Sequence, residues 1–337
     1  MRAIVIEDVN KASIQELPDP VPAPGEVVVS VEACGLCGTD EHIYKGEFLS
    51  SYPLIPGHEF AGVITELGAG VEGWHVGDRV AVDPNISCHR CYFCQTERSN
   101  HCLNWRGIGV NVAGALAEKV AVPAENLYAI GDLNFEEAAL IEPLSCVVYG
   151  LRRLQPAVGD EALIFGAGPI GLLHVQLLAH AGMHQVVVVD RIAQRLERAR
   201  TLGATEVVLA DGSLEQRLRQ IAPLGFQIVV DATGVPVVVE RALQFVKPAG
   251  KLLVFGVCPP QERISLSPFE VYRKDLQILG SFALRYTFHY ARDLLASGVV
   301  QARPLISHVV GLGEGLAALT QPERFEKLKV VVRPGAR

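Results

Sequence analysis

The run Ala162-Leu163-Ile164-Phe165-Gly166-Ala167-Gly168-Pro169-Ile170-Gly171 constrains the fold more than any other part of this chain. Its apolar residues, with no polar one among them, read as a parallel strand buried on both faces. The G-x-G-x-x-G spacing follows at the strand's end. Gly166 permits a tight turn, Gly168 lets the backbone approach a pyrophosphate, and Gly171 lets the next helix pack closely on the sheet. That helix runs to Ala181, is stopped by Gly182, and turns free N–H groups and a positive dipole end toward phosphate. Val186 to Val189 form a second strand, closed by Asp190 where a ribose-binding acid is expected. Glycines punctuate many turns, so the motif alone is weak. Strand, helix and acid together predict a dinucleotide site formed by Gly166, Gly168, Pro169, Ile170, Gly171 and Asp190.

From Glu161 to about Phe282 strands and helices alternate, with strands expected at 162–166, 186–190, 206–210, 227–231, 251–256 and 277–282. This is the pattern of a doubly wound parallel sheet of the α/β class. The residues before it are mainly β, with short strands at 3–6, 26–31, 60–64, 79–82 and 119–122 between Pro and Gly turns. A helical pattern, capped by Asn134, then runs on to Leu154. Beyond Phe282 a helix near 288–297, a strand at 305–310, a helix near 313–320 and a strand at 328–332 break the alternation. The expected domains are 1–148 and 149–282, with 283–337 returning to complete the first. A length of 337 residues, 49% of them hydrophobic, suffices for two cores.

A net charge of −7 argues against a nucleic-acid partner. There is no apolar run of membrane length and no signal segment at Met1-Arg2-Ala3-Ile4-Val5, so a cytoplasmic protein without a membrane partner is expected. Eight cysteines in such a chain favour metal binding or catalysis over disulfides. Their spacing decides between the uses. Cys88-x-x-Cys91-x-x-Cys94-x7-Cys102 suits a closed tetrahedral zinc site, whose role is structural because all four ligands are spent. Such spacings also hold iron–sulfur clusters, but the polar surroundings and the lack of a second cysteine set favour zinc. His89 and His101 are then left to solvent.

A second group of metal-ligand types is scattered. Cys37-Gly38-Thr39-Asp40-Glu41-His42 follows a strand, Gly57-His58-Glu59 precedes another, and Glu142-Pro143-Leu144 opens inside the helical stretch. Taken singly, His58 reads as well as a hydrogen-bonded core histidine and Glu59 as a surface charge. Cys37 reads as a buried thiol or as half of a Cys34-x-x-Cys37 redox pair.

Together these motifs carry a resemblance. Cys37-Gly-Thr-Asp, Gly57-His58-Glu59-Phe60-Ala-Gly62, the four-cysteine lobe, Glu142-Pro-Leu-Ser145 and Gly166-Ala-Gly-Pro-Ile-Gly171 stand in the order seen in zinc-dependent medium-chain dehydrogenases/reductases. The chain looks most like their polyol (sorbitol, xylitol, arabinitol) dehydrogenase branch. The resemblance implies a GroES-like catalytic domain enclosing an inserted Rossmann domain, NAD as cofactor, and one catalytic and one structural zinc per chain. It makes Cys37 and His58 ligands of the catalytic zinc and Glu59 a ligand or an alternating neighbour. Glu142 then binds the metal directly or through its water. It also implies that Thr39 and His42 relay the alcohol proton to solvent.

By the same resemblance Arg195 lies near the adenosine ribose, and Thr233, Gly256 and Val257 border the nicotinamide half. Asp190 would repel a 2′-phosphate, which favours NAD over NADP. An Arg-Tyr pair follows Gly-x-Phe in sorbitol dehydrogenases; here Arg285-Tyr286 come two positions late. They and Ser145 are the candidate substrate contacts. The expected reaction is reversible transfer of a hydride from a secondary alcohol, a polyol, to NAD. The alternatives are an L-threonine 3-dehydrogenase and a non-catalytic NAD-binding zinc protein. The apolar strands Lys251–Phe255 and Leu276–Gly280, near one end of the sheet's chain order, predict a homodimer or a tetramer of dimers.

Overall fold

The computed structural model of the protein describes residues 1–48, 50–325 and 328–336. The chain divides into two compact units, Met1–Ser145 with Arg285–Arg337, and Cys146–Leu284.

The first unit opens with the hairpin β1 (Arg2–Asp8) and β2 (Lys11–Glu16), an antiparallel pair that the sequence reading lacked. The reason is that β2, Lys-Ala-Ser-Ile-Gln-Glu, has little apolar content and is held by its partner. Next come β3 (Glu26–Gly35), the helix α1 (Gly38–Tyr44), β4 (Glu59–Leu67) and β5 (Arg79–Val82). The short pair β6 (Asn85–Ile86) and β7 (Arg106–Gly107) brackets the cysteine lobe, and β8 (Lys119–Pro123) and β9 (Leu127–Ala129) follow. Asn134 caps the next helical turn, its side chain accepting from Glu137 N–H at 2.8 Å. The long helix Ile141–Leu154 then carries the chain into the second unit.

That unit is a six-stranded parallel sheet of β10 (Glu161–Phe165), β11 (Gln185–Asp190), β12 (Glu206–Leu209), β13 (Phe226–Asp231), β14 (Val246–Val254) and β15 (Gln277–Gly280). The spatial order is β12-β11-β10-β13-β14-β15. The order reverses between β10 and β13, and at that point a doubly wound sheet opens a crevice outside its carboxyl ends. Val187, Val189, Leu163, Phe165, Val229 and Leu252 are among the buried residues of one core. β14 begins five residues earlier than the apolar run at 251–256 suggested, because Val246 pairs with Phe226 ahead of a register shift.

After Leu284 the chain returns. β16 (Ile306–Val310) and β17 (Lys329–Val332) join the first unit's seven-stranded sheet, with β17 pairing antiparallel to β3 beside Cys34 and Gly35. The residues that close the chain thus lie against the strand that leads to Cys37. Among the described residues no helix is long and apolar enough to cross a membrane.

Candidate functional site

Gly35 ends β3, Glu59 begins β4, and the two are cross-strand partners. A Cβ at position 35 would lie 2.2 Å from Glu59 Oε2, so glycine is what leaves room for that carboxylate. Cys37 caps α1, and its N–H donates to Asp40 Oδ2 at 2.9 Å. Gly57, at φ +96°, donates its N–H to Asp40 Oδ1 at 3.1 Å. The buried Asp40 therefore fastens the loop of His58 to the helix start that presents Cys37. One donor atom each from Cys37, His58 and Glu59 come to lie within 4.8 Å of one another.

The electrostatics of this group suit a cation. Asp40 Oδ1 stands 3.5 Å from His58 Nδ1, too far for a good bond, and this buried nitrogen has no hydrogen-bond partner among the described residues. Burial opposes the charged imidazole, yet Asp40 and the Cys37 sulfur outweigh it and hold His58 well above its ordinary value. A thiolate, an imidazole and a carboxylate, with a further carboxylate behind the imidazole, fit a zinc that keeps a position open.

The sequence reading missed Lys329. Its ammonium, 4% exposed as a residue, donates to Leu36 O at 2.9 Å and to Glu59 Oε1 and Oε2 at 2.7 and 2.6 Å. Burial opposes the charge, but Glu59 and Cys37 hold the lysine above its usual range. The available signal was one lysine interrupting the apolar strand Leu328-Lys329-Val330-Val331-Val332.

The cysteine lobe folds on local bonds. Cys91 caps the turn Tyr92–Gln95, and Cys102 follows the 3-10 turn Ser99–His101. The Cys91 sulfur lies 3.5 Å from that of Cys94 and 3.9 Å from that of Cys102. Backbone N–H groups of Cys88 and Asn104 donate to the Cys102 sulfur at 3.3 and 3.4 Å. Backbone donation from Arg90 brings Cys88 down to about 5, whereas burial and the neighbouring sulfurs push Cys94 up to about 12. Backbone N–H groups also lower Cys91, and sulfurs crowded so closely, some eased and one opposed in losing a proton, fit a divalent cation that neutralises them together. His89 is exposed with its Nε2 3.3 Å from Glu125, while His101 packs against the Phe93 ring at 6.1 Å.

In the second unit Gly166 turns at φ +100°, and a Cβ at Gly171 would lie 1.8 Å from Gly166 O. Those two glycines serve protein packing. A Cβ at Gly168, by contrast, would meet no atom of the described residues within 4 Å beyond its chain neighbours, so this cradle is open to a ligand. Gly168 is the N-cap of the helix Pro169–His180, which therefore has no capping side chain over its first N–H groups. Asp190 Oδ2 accepts from Ala167 N–H at 2.7 Å and Oδ1 from Ile192 N–H at 2.9 Å, so the acid also braces the glycine turn. The arrangement fits a dinucleotide. Arg195 lies half-buried in the first turns of the helix Ala193–Thr201.

Other candidates fall differently. Thr39 is half-buried in α1, and His42 in its last turn meets Glu47 Oε2 through Nδ1 at 2.8 Å. Glu142 is buried in the first turn of Ile141–Leu154 but lies outside the close group of Cys37, His58 and Glu59. Ser145 lies in the same helix. It is wholly buried, and its hydroxyl lies 2.9 Å from that of Thr287, which also donates to Ser145 O. It ties the returning segment to the helix. Tyr286 is 52% exposed at φ +51°, and Arg285 is half-buried.

Comparison with known proteins agrees with this construction. The family model of the alcohol dehydrogenase GroES-like domain matches residues 23–132, and that of zinc-binding dehydrogenases matches residues 169–297. D-arabinitol dehydrogenase 1 of Uromyces fabae is 36% identical over 99% of this chain and 97% of its own. A zinc-binding dehydrogenase of Sinorhizobium meliloti 1021, solved with NADP, superposes with a TM-score of 0.94 at 35% identity over 99% of both chains. An alcohol dehydrogenase, rspB, of Escherichia coli CFT073, solved with NADH, gives 0.92 at 33% identity, again over 99% of both. Likeness of this extent in sequence and in fold, over a GroES-like unit and a Rossmann unit alike, means that the chain belongs to the zinc-binding dehydrogenases and is an oxidoreductase.

Proposed function

We propose that the protein oxidises a secondary hydroxyl flanked by another hydroxyl, reversibly, with NAD as the hydride acceptor. The observation that carries this reading is the close group of Cys37, His58 and Glu59, a donor set that leaves a zinc open to substrate. Bound there, zinc lowers the pKa of an alcohol and stabilises negative charge on its oxygen. Asp40 orients His58 and the cap that presents Cys37, while Lys329 holds the Glu59 carboxylate in place. Thr39 and His42 take the alcohol proton outward, with Glu47 fixing the imidazole through Nδ1. Cys88, Cys91, Cys94 and Cys102 hold a second, structural zinc.

The polyol class is supported by the arabinitol dehydrogenase relative and by carboxylates able to accept from a vicinal hydroxyl, Glu59 and Glu142. Arg285 and Tyr286 are assigned to the remaining hydroxyls. A pocket that satisfies hydroxyls rejects analogues lacking them more strongly than an apolar pocket rejects an added hydroxyl. NAD is favoured because Asp190 closes β11 beside the glycine turn, where it leaves no room for a 2′-phosphate charge. β15 pairs only with β14 among the described residues and exposes 40% of Ile278, which favours a homodimer joined along that edge. Light scattering at micromolar concentration checks the assembly.

The deciding experiment compares kcat/KM for xylitol, sorbitol and arabinitol with 2-butanol and L-threonine at matched NAD. A clear lead for the polyols is expected. A lead for 2-butanol or threonine overturns the substrate class and leaves only the dehydrogenase.

A further inference from the structure

β13 ends at Asp231, a carboxylate with none of its surface exposed and, among the described residues, no lysine or arginine donating to it. Its ligands are the turn that follows it. Oδ1 accepts from Thr233 N–H at 3.0 Å and from the Thr233 hydroxyl at 2.6 Å, and Oδ2 accepts from Gly234 N–H at 3.3 Å. The carbonyl of the same residue reaches the neighbouring strand, accepting from Phe255 N–H at 3.1 Å and Gly256 N–H at 2.9 Å. One residue thus binds both the turn after β13 and the turn after β14.

The two turns are packed glycine on glycine above it. A Cβ at Gly256 would lie 2.0 Å from Gly234 N and 2.9 Å from Asp231 Oδ2, and one at Gly234 would lie 2.4 Å from Val257 O. Thr233 also reaches the glycine turn of the other half, since a Cβ at Gly166 would sit 3.0 Å from its methyl. In a doubly wound sheet the glycine turn after β10 and the acid after β11 serve one nucleotide of a dinucleotide. The carboxyl ends of β13 and β14, across the switch point, serve the other.

We propose that Asp231 is a positioning residue for the nicotinamide half of the cofactor, clamping the turns after β13 and β14 into one preset wall. The inference rests on the dinucleotide-dependent dehydrogenase reading above. Its physical basis is that a buried acid without a cation is costly unless its donors are fixed. Here those donors are the backbone of the turn itself, so ionised Asp231 and ordered turn stabilise each other. Two glycine-containing turns held this way do not have to be ordered by the ligand, which leaves more of the binding energy for affinity. A nucleotide confined to the glycine turn and Asp190 gains nothing from the clamp.

The test measures binding of NADH and of 5′-AMP to the purified full-length protein and to Asp231→Asn, Thr233→Val and Thr233→Ser, with melting curves for each. Asparagine turns a donor toward Gly234 N–H, valine removes the hydroxyl that donates to Asp231 and accepts from Val235 N–H at 3.1 Å, and serine keeps both bonds. The expected result is an NADH Kd raised roughly tenfold by Asp231→Asn and about threefold by Thr233→Val, restored by serine, with AMP within about twofold throughout. NADH binding unchanged in both impaired variants, or AMP weakened in step with NADH, overturns the inference. Should Asp231→Asn not fold, the valine and serine pair decides on the same criterion. Wild-type protein that binds AMP but neither NADH nor NADPH overturns the dehydrogenase reading itself, a different outcome from either.

Discussion

Lys329 donates to both carboxylate oxygens of Glu59, at 2.7 and 2.6 Å, in a pair with side chains 5% and 1% exposed. The lysine comes from the last strand and the acid from the strand beside Cys34, so the pair also closes the first unit around its metal group. Glu59 is therefore both a candidate ligand and one half of a buried ion pair.

Removing the lysine separates these roles. Lys329→Met strands a buried carboxylate and should cost about 3–5 kcal/mol, seen as a lower melting temperature of the metal-depleted protein. Added zinc should recover part of the loss, because the released carboxylate can turn to the metal. Glu59→Gln combined with Lys329→Met should cost less than the sum of the single changes. Additive losses with no zinc dependence would show that the pair and the metal group do not communicate.

Cys94→Ser tests the lobe. The polypeptide from Cys88 to Cys102 has little apolar burial of its own, so a metal held by its four cysteines would supply much of its folding energy. The variant should lose about one zinc per chain and melt earlier, with the group at Cys37 untouched. An unchanged zinc content and melting curve would remove the structural-zinc assignment.

What was readable in the sequence divides along sequence distance. The glycine turn and the cysteine lobe declare themselves because every residue that matters lies within one local segment. The tie between Lys329 and Glu59 spans 270 residues, and no spacing rule connects them. Asp40 was visible in its motif, but its two bonds to the loops of Cys37 and His58 needed the fold. Ser145 was visible in its motif too, but its bond to Thr287, 142 residues away, needed the fold. The hairpin strand β2 was lost because its pairing with β1, and not its own pattern, defines it.

Asp190→Ala addresses cofactor choice. The acid ends β11 and accepts from Ala167 and Ile192 N–H. Its loss should weaken NAD binding by about tenfold or more while leaving NADP nearly unchanged, so the ratio of their kcat/KM values narrows. Wild-type preference for NADP would instead make Arg191, the residue directly after Asp190, and Arg195 phosphate ligands.

The last prediction concerns acid stability. His174 lies in the helix after the glycine turn, wholly buried, with neither ring nitrogen hydrogen-bonded to any described residue and the edge of one ring against the other where it meets Phe255 at 4.9 Å. Burial alone pushes it down to about 3 from an ordinary 6.5. Between those values the unfolded chain binds a proton that the folded chain refuses, so stability is full above pH 6.5 and falls as the pH drops toward 3. The slope is about 1.4 kcal/mol per pH unit where only the unfolded state is protonated. His174→Leu removes the titration together with two unsatisfied buried nitrogens. Its melting temperature should therefore fall less steeply than that of the wild type between pH 6.5 and 4.5, whatever the offset at neutral pH. Parallel profiles would mean that the histidine is protonated in the folded protein, and its burial as a neutral ring would have to be abandoned.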